Sequence, residues 1–147
     1  MNQSRPIVLI EDDSDDTQIF RMAISVLNVE APVHCFSSPK EAIEFLNTTE
    51  VPPGLILCDN HLSAISGIDL RETLAKDSRL HRMTIPFILL STAISDADVV
   101  KAFELPVQGI FLKESSFEKY LDQLDRILKY WSCSITPNSP RPPQGWR

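Results

Sequence analysis

Ile7-Val8-Leu9-Ile10 runs straight into Glu11-Asp12-Asp13, and the reading of this stretch decides the fold. Four apolar residues, three of them β-branched, are too few for a helix and leave no polar face for water. They predict a strand buried on both faces, as in a parallel sheet. The acids that stop it place charge at its carboxyl end. The same pattern returns along the chain. Leu55-Ile56-Leu57-Cys58 stops at Asp59, Phe87-Ile88-Leu89-Leu90 stops at Ser91-Thr92, and Gly109 to Leu112 stops at Lys113. Val33 to Phe36 is a further short apolar run.

Helical spacing fills the intervals. From about Asp15, residues Ile19, Phe20, Ala23, Ile24 and Leu27 fall on one helix face. Ser38-Pro39 pairs a capping hydroxyl with a first-turn proline, ahead of Ala42, Ile43, Phe45 and Leu46. Pro52-Pro53-Gly54 and Pro86 punctuate the chain before the third and fourth strands, and a loop to Gly67 precedes a helix through Leu70 and Leu74. Ser95 caps a helix carrying Val99, Val100, Ala102 and Phe103, and a last helix runs from about Ser116 to Trp131. Five strands alternating with five helices predict an α/β fold: a flavodoxin-like, doubly wound five-stranded parallel sheet in the order 2-1-3-4-5. Residues 1–132 form the domain. Residues 133–147, where four of the chain's eleven prolines fall, form a C-terminal tail.

Composition removes several function classes. With 147 residues the chain suits one domain, and a net charge of −6 opposes binding to a phosphate backbone, so no nucleic-acid partner is expected. Cys35, Cys58 and Cys133 are odd in number and form no CxxC pair, so they read as free thiols of a reducing compartment. Neither a signal peptide nor an apolar run of about 20 residues is visible, which predicts a cytoplasmic protein with no membrane partner.

In a doubly wound sheet, ligands bind beyond the carboxyl ends of the strands. There the sequence supplies Glu11-Asp12-Asp13, Asp59, Ser91-Thr92 and Lys113, from strands that are neighbours in the predicted order. Gathered carboxylates repel, and a hard cation such as Mg²⁺ holds them ionised. An Asp beside that ion is a candidate phosphoryl acceptor, with Ser91 placed to hydrogen-bond a phosphoryl oxygen and Lys113 to neutralise another. Singly, each has a plainer reading: Asp59 as a turn or cap residue, Ser91 as a cap, Lys113 as an exposed lysine, the five acids of Glu11–Asp16 as a helix start. Their joint placement at four strand ends favours phosphoryl transfer.

From about residue 5 to residue 131 the chain resembles the CheY-like receiver domains of two-component response regulators. Within them Arg79-Leu80-His81-Arg82-Met83-Thr84-Ile85-Pro86 and the ending Leu124 to Trp131 resemble the stand-alone regulators of cyanobacterial and bacterial phytochrome histidine kinases. The resemblance implies that Asp59 is the phosphoacceptor. It also implies that Asp12 binds Mg²⁺ directly, Glu11 does so through water, and the His61 backbone carbonyl completes the shell. Ser91 matches the hydroxyl that moves to the phosphoryl group, and Lys113 the lysine that pairs with it. The implied donor is a phosphohistidine on a sensor kinase, a bacterial phytochrome by the subgroup resemblance. The chain departs from the pattern at Ile110, where an aromatic is usual, and at Glu114 and Ser63, where proline is frequent.

A haloacid-dehalogenase-type phosphatase would need a second Asp where His61 stands, and a flavin carrier would need a Gly-rich phosphate loop where Glu11-Asp12-Asp13 stands. The stronger rival is a receiver-like interaction module that takes no phosphate. With no output domain in the chain, Tyr130 and Trp131 nominate the last helix as the face of a homodimer, the tail reaching across.

Overall fold

The computed structural model describes residues 5–138. Its strands are β1 (Ile7–Ile10), β2 (Val33–Phe36), β3 (Leu55–Asp59), β4 (Phe87–Ser91) and β5 (Gly109–Leu112), all parallel, in the order β2-β1-β3-β4-β5. This is the expected sheet. Register sets Ile10 beside Cys58, Asp59 beside Leu90, and Ser91 beside Leu112. The residues that stop the four strands therefore emerge along one edge.

Every residue of β1, β3 and β4 is buried, so period 2 divides their side chains between two cores. Val8, Ile10, Ile56, Cys58, Phe87 and Leu89 pack on one face, while Ile7, Leu9, Leu55, Leu57, Ile88 and Leu90 pack on the other. The first face is covered by α2 (Pro39–Thr48), α3 (Gly67–Lys76), α4 (Ser78–Arg82) and α5 (Asp96–Glu104), through Leu46, Leu70, Leu74, Leu80 and Ala102. The second is covered by α1 (Ser14–Val26) and α6 (Phe117–Cys133), through Phe20, Ala23, Tyr120, Leu124 and Ile127. At about 1.5–3 kcal/mol for each fully buried aliphatic or Phe side chain, these two layers supply the main stabilising term. Ser38 and Ser95 cap α2 and α5 as the sequence predicts, accepting the amides of Glu41 and Asp98.

Among the described residues there are six helices where the sequence predicts five. The additional one, α4, is five residues long, too short for its apolar spacing to repeat. It is held by capping and packing instead. The Asp77 carboxylate accepts the amides of Arg79 and Leu80 at 3.0 Å each, the Arg79 guanidinium donates to the Leu46 carbonyl at 3.1 Å, and Leu80 is buried. At the other end of the chain, α6 carries Ser132 and Cys133, one residue into the predicted tail. The described part of the tail turns back on its own domain, where the Asn138 side-chain amide donates to the Met83 carbonyl at 2.5 Å. Residues 139–147, the rest of the predicted tail, lie outside the described residues.

All three cysteines are free; Cys58 is buried, Cys35 half-buried and Cys133 exposed. Among the described residues no helix is long and apolar enough to cross a membrane. The Lys113–Glu114 peptide is not cis; the one cis bond among the described residues joins Leu105 to Pro106.

Candidate functional site

β1 and β3 deliver three acids to one place. Carboxylate oxygens of Glu11, Asp12 and Asp59 lie within 4.8 Å of one another. Glu11 is only 4% exposed and Asp59 only 8%, so water screens them poorly. Two like charges at that separation repel by roughly 3.5 kcal/mol at an effective dielectric of 20. β5 supplies the counter-charge. The Lys113 ammonium stands 2.7 Å from Glu11 Oε1, 3.5 Å from Asp59 Oδ2 and 3.6 Å from Asp16 Oδ2. Burial pushes the Glu11 carboxyl up to about 7, against the pull of Lys113, and the Asp59 charge adds to the rise. Burial disfavours the Lys113 ammonium, but its bond to Glu11 and the charges of Glu11, Asp59 and Asp16 outweigh that and hold it above its ordinary value.

One ammonium among four carboxylates leaves an anionic pocket, and the donor set fits a hard divalent cation. All donors are oxygens, as Mg²⁺ prefers. Ligands across a Mg²⁺ octahedron are separated by about 4.2 Å, given metal–oxygen distances of 2.0–2.1 Å. The cluster is of that size, with room for one acid to act through a water.

The loop after β3 is bonded into these acids. The His61 amide donates to Asp59 Oδ1 at 3.0 Å, and the Ser63 amide donates to Asp12 Oδ2 at 2.7 Å. Between them Leu62 buries its side chain in the core. Asn60 is 5% exposed and ties the loop to α3: its carbonyl accepts the Gly67 amide and its Oδ1 the Ile68 amide, both at 3.1 Å. Gly67 is required by close approach. A Cβ there would stand 2.7 Å from the Asp59 carbonyl oxygen and 2.9 Å from Leu89 Cδ2.

β4 and β5 form the other half. Ser91 is fully buried, and its hydroxyl donates to the Ala93 carbonyl at 2.6 Å. The His61 ring nitrogen Nε2 lies 2.9 Å from the same oxygen, bridging the loops after β3 and β4. Thr92 is exposed. Ile110 is half-buried and packs on the core beneath α2 to α5, while Phe111, one residue on, packs on the opposite core.

Glu11, Asp12, Asp59 and Lys113 thus come together as the strand-end reading expects, and the Ser91 hydroxyl is turned into its own loop. Asp16, Asn60 and the Ser63 amide join them without a signal of their own in the sequence. Asp16 reads as one more first-turn acid, Asn60 as a turn residue, and a backbone amide leaves no trace in sequence. The match to the response regulator receiver domain extends over residues 7–125. This chain belongs to that family. Receiver domains are signalling domains, and the family accounts for the fold and for acids at these strand ends.

Three relatives mark its neighbourhood. The probable methanogenesis regulatory protein FilR2 of Methanothrix harundinacea (strain 6Ac) is 26% identical over 129 residues, 85% of this chain and 82% of the relative. Response regulator Rcp1 of Synechocystis is 22% identical over 92% of this chain and 94% of its own. Its Mn²⁺-bound crystal structure superposes with a TM-score of 0.77, covering 93% of this chain and 99% of that one, at 22% identity. The phosphorylated cyanobacterial phytochrome response regulator RcpA superposes with a TM-score of 0.79, at 24% identity over 90% and 97% of the two chains. At these identities the superpositions speak for the fold.

Proposed function

We propose that this receiver accepts a phosphoryl group on Asp59 from the phosphohistidine of a sensor histidine kinase, with Mg²⁺, and signals by changed protein–protein contacts. The observation that carries the reading is Asp59 itself: nearly buried, within 4.8 Å of two further acids, and 3.5 Å from Lys113. A carboxylate oxygen of Asp59 attacks phosphorus, the phosphorus–nitrogen bond to the donor imidazole breaks, and an acyl phosphate forms. Asp12, Asp59 and the His61 carbonyl would hold Mg²⁺ directly and Glu11 through water; when bound, the ion supplies neutralising charge for the transferred group. Lys113 pairs with one phosphoryl oxygen. The Ser91 hydroxyl leaves the Ala93 carbonyl to bond another. The His61 amide, already aimed at Asp59, is placed to donate to a third.

Likeness to the cyanobacterial phytochrome response regulator RcpA supports a phytochrome as the kinase, in the cytoplasm, where such kinases expose their phosphohistidine. A homodimer through α6 is the proposed output. Tyr130 is 66% exposed while Trp131 packs against the core, so the aromatic pair is split between the domain and solvent. Asp122 and Asp125 precede Arg126 and Lys129 on the exposed side, so two antiparallel copies would set acids against bases. Ile110 and the Ser91–Ala93 bond favour the second reading, a module that takes no phosphate. Intact mass after acetyl phosphate separates the two. One phosphoryl adduct on wild type, lost with EDTA and in Asp59→Asn, is expected; no adduct on protein that binds Mg²⁺ would favour the module. Sedimentation showing only monomer at high micromolar concentration, phosphorylated or not, would count against the dimer.

A further inference from the structure

We infer that the backbone amide of Ser63 is a positioning group for the cation, setting the orientation of Asp12 and with it the affinity for Mg²⁺. The inference rests on the cation site proposed above. Its observation is a bond of 2.7 Å between the Ser63 amide and Asp12 Oδ2, closed between loops 51 residues apart.

An amide bonded to a carboxylate makes a charge-assisted hydrogen bond, shorter and roughly twice as strong as a neutral one. Each carboxylate oxygen offers about two acceptor positions, so one N–H fixes the plane of Asp12 without exhausting its capacity to coordinate. A ligand held in this way loses little freedom when the ion arrives, whereas a freely rotating Asp must be ordered at that moment. The amide is itself held. Leu62, the preceding residue, is anchored in the core, and the His61 amide before it is bonded to Asp59 Oδ1. Two amides of one short segment therefore orient two acids that arrive on different strands. The group that acts is the N–H and not the hydroxyl, so the effect depends on whether the residue at 63 carries an amide proton and is indifferent to its side chain.

The test is calorimetric titration with MgCl₂ alone of wild type, Ser63→Ala, Ser63→Pro, and a chain carrying lactic acid at position 63. The last is the ester counterpart of Ser63→Ala and differs from it only by oxygen in place of N–H. Ser63→Pro also removes the proton but constrains Leu62, so the alanine–ester pair decides. Ser63→Ala is expected to bind Mg²⁺ within about twofold of wild type, and the ester and proline variants about tenfold or more weaker, the ordinary cost of losing a group that orients a metal ligand. Melting in EDTA separates affinity from folding, since a purely structural bond would lower the melting temperature and leave the Mg²⁺ affinity of the folded protein alone. Equal affinity of the ester and Ser63→Ala would overturn the inference, even if proline weakened binding. Wild type that takes up no Mg²⁺ would remove the cation site itself, and the inference with it.

Discussion

The two halves of the strand-end edge are built differently. On the β1–β3 side, Glu11, Asp12 and Asp59 are tied by Lys113, by the His61 and Ser63 amides, and by a loop that Asn60 and Gly67 fasten to α3. On the β4–β5 side, Ser91 bonds into its own loop, Thr92 is exposed, and Ile110 offers the core an aliphatic side chain. On the proposed function, the first half is already assembled for an ion and a phosphoryl group, and the second would rearrange to meet it. A preset site that orders ligands in advance, next to a loop with an alternative bond available, is how local chemistry biases a two-state element.

Removing a carboxylate breaks the first half most severely. Asp12→Ala is expected to weaken Mg²⁺ binding by more than about a hundredfold, beyond the usual cost of losing a group that merely orients a ligand. Calorimetric titration checks it, and a tenfold loss or less would mean that Asp12 is no direct ligand. Gly67→Ala tests the packing beneath that half. A Cβ 2.7 Å from the Asp59 carbonyl oxygen and 3.1 Å from Asn60 Cα meets backbone that cannot easily give, besides the Leu89 side chain, so urea denaturation should show a loss of about 1–3 kcal/mol. The smallest effect concerns the bridge between halves. His61→Ala removes a ring bond to the Ala93 carbonyl and leaves the His61 backbone carbonyl in place. With a net value of about 1 kcal/mol for one such bond, it should change the lifetime of phosphorylated Asp59 about fivefold or less, at unaltered Mg²⁺ affinity. An unchanged lifetime would leave His61 an ordinary loop residue.

What could be read beforehand cuts across this division. The sheet was legible because β1, β3 and β4 are buried on both faces, and four- or five-residue apolar runs have few other uses. The acids and Lys113 were legible because a parallel sheet forces its strand ends together. Helix α4 was not: five residues show no period, and the Arg79 contacts with Leu46 and Asn47 only exist once α2 is in place. Asp16 was hidden among first-turn acids, which the helix dipole explains without any further role. The Ser63 amide was invisible in principle, since every residue but proline carries one. The direction of the Ser91 hydroxyl depends on the turn at Ala93, which strand periodicity does not reach.

The division between the halves can be tested directly with beryllofluoride, a phosphoryl mimic, and Mg²⁺. Backbone amide shifts of ¹⁵N-labelled protein would be recorded with and without the pair. Their largest changes are expected at Ser91 to Ser95 and along β5, as the Ser91 hydroxyl exchanges the Ala93 carbonyl for the ligand at Asp59, with smaller changes at Leu62 and Ser63. Saturable binding that disturbs residues 60–67 while Ser91 to Ser95 stay as they were would contradict the account.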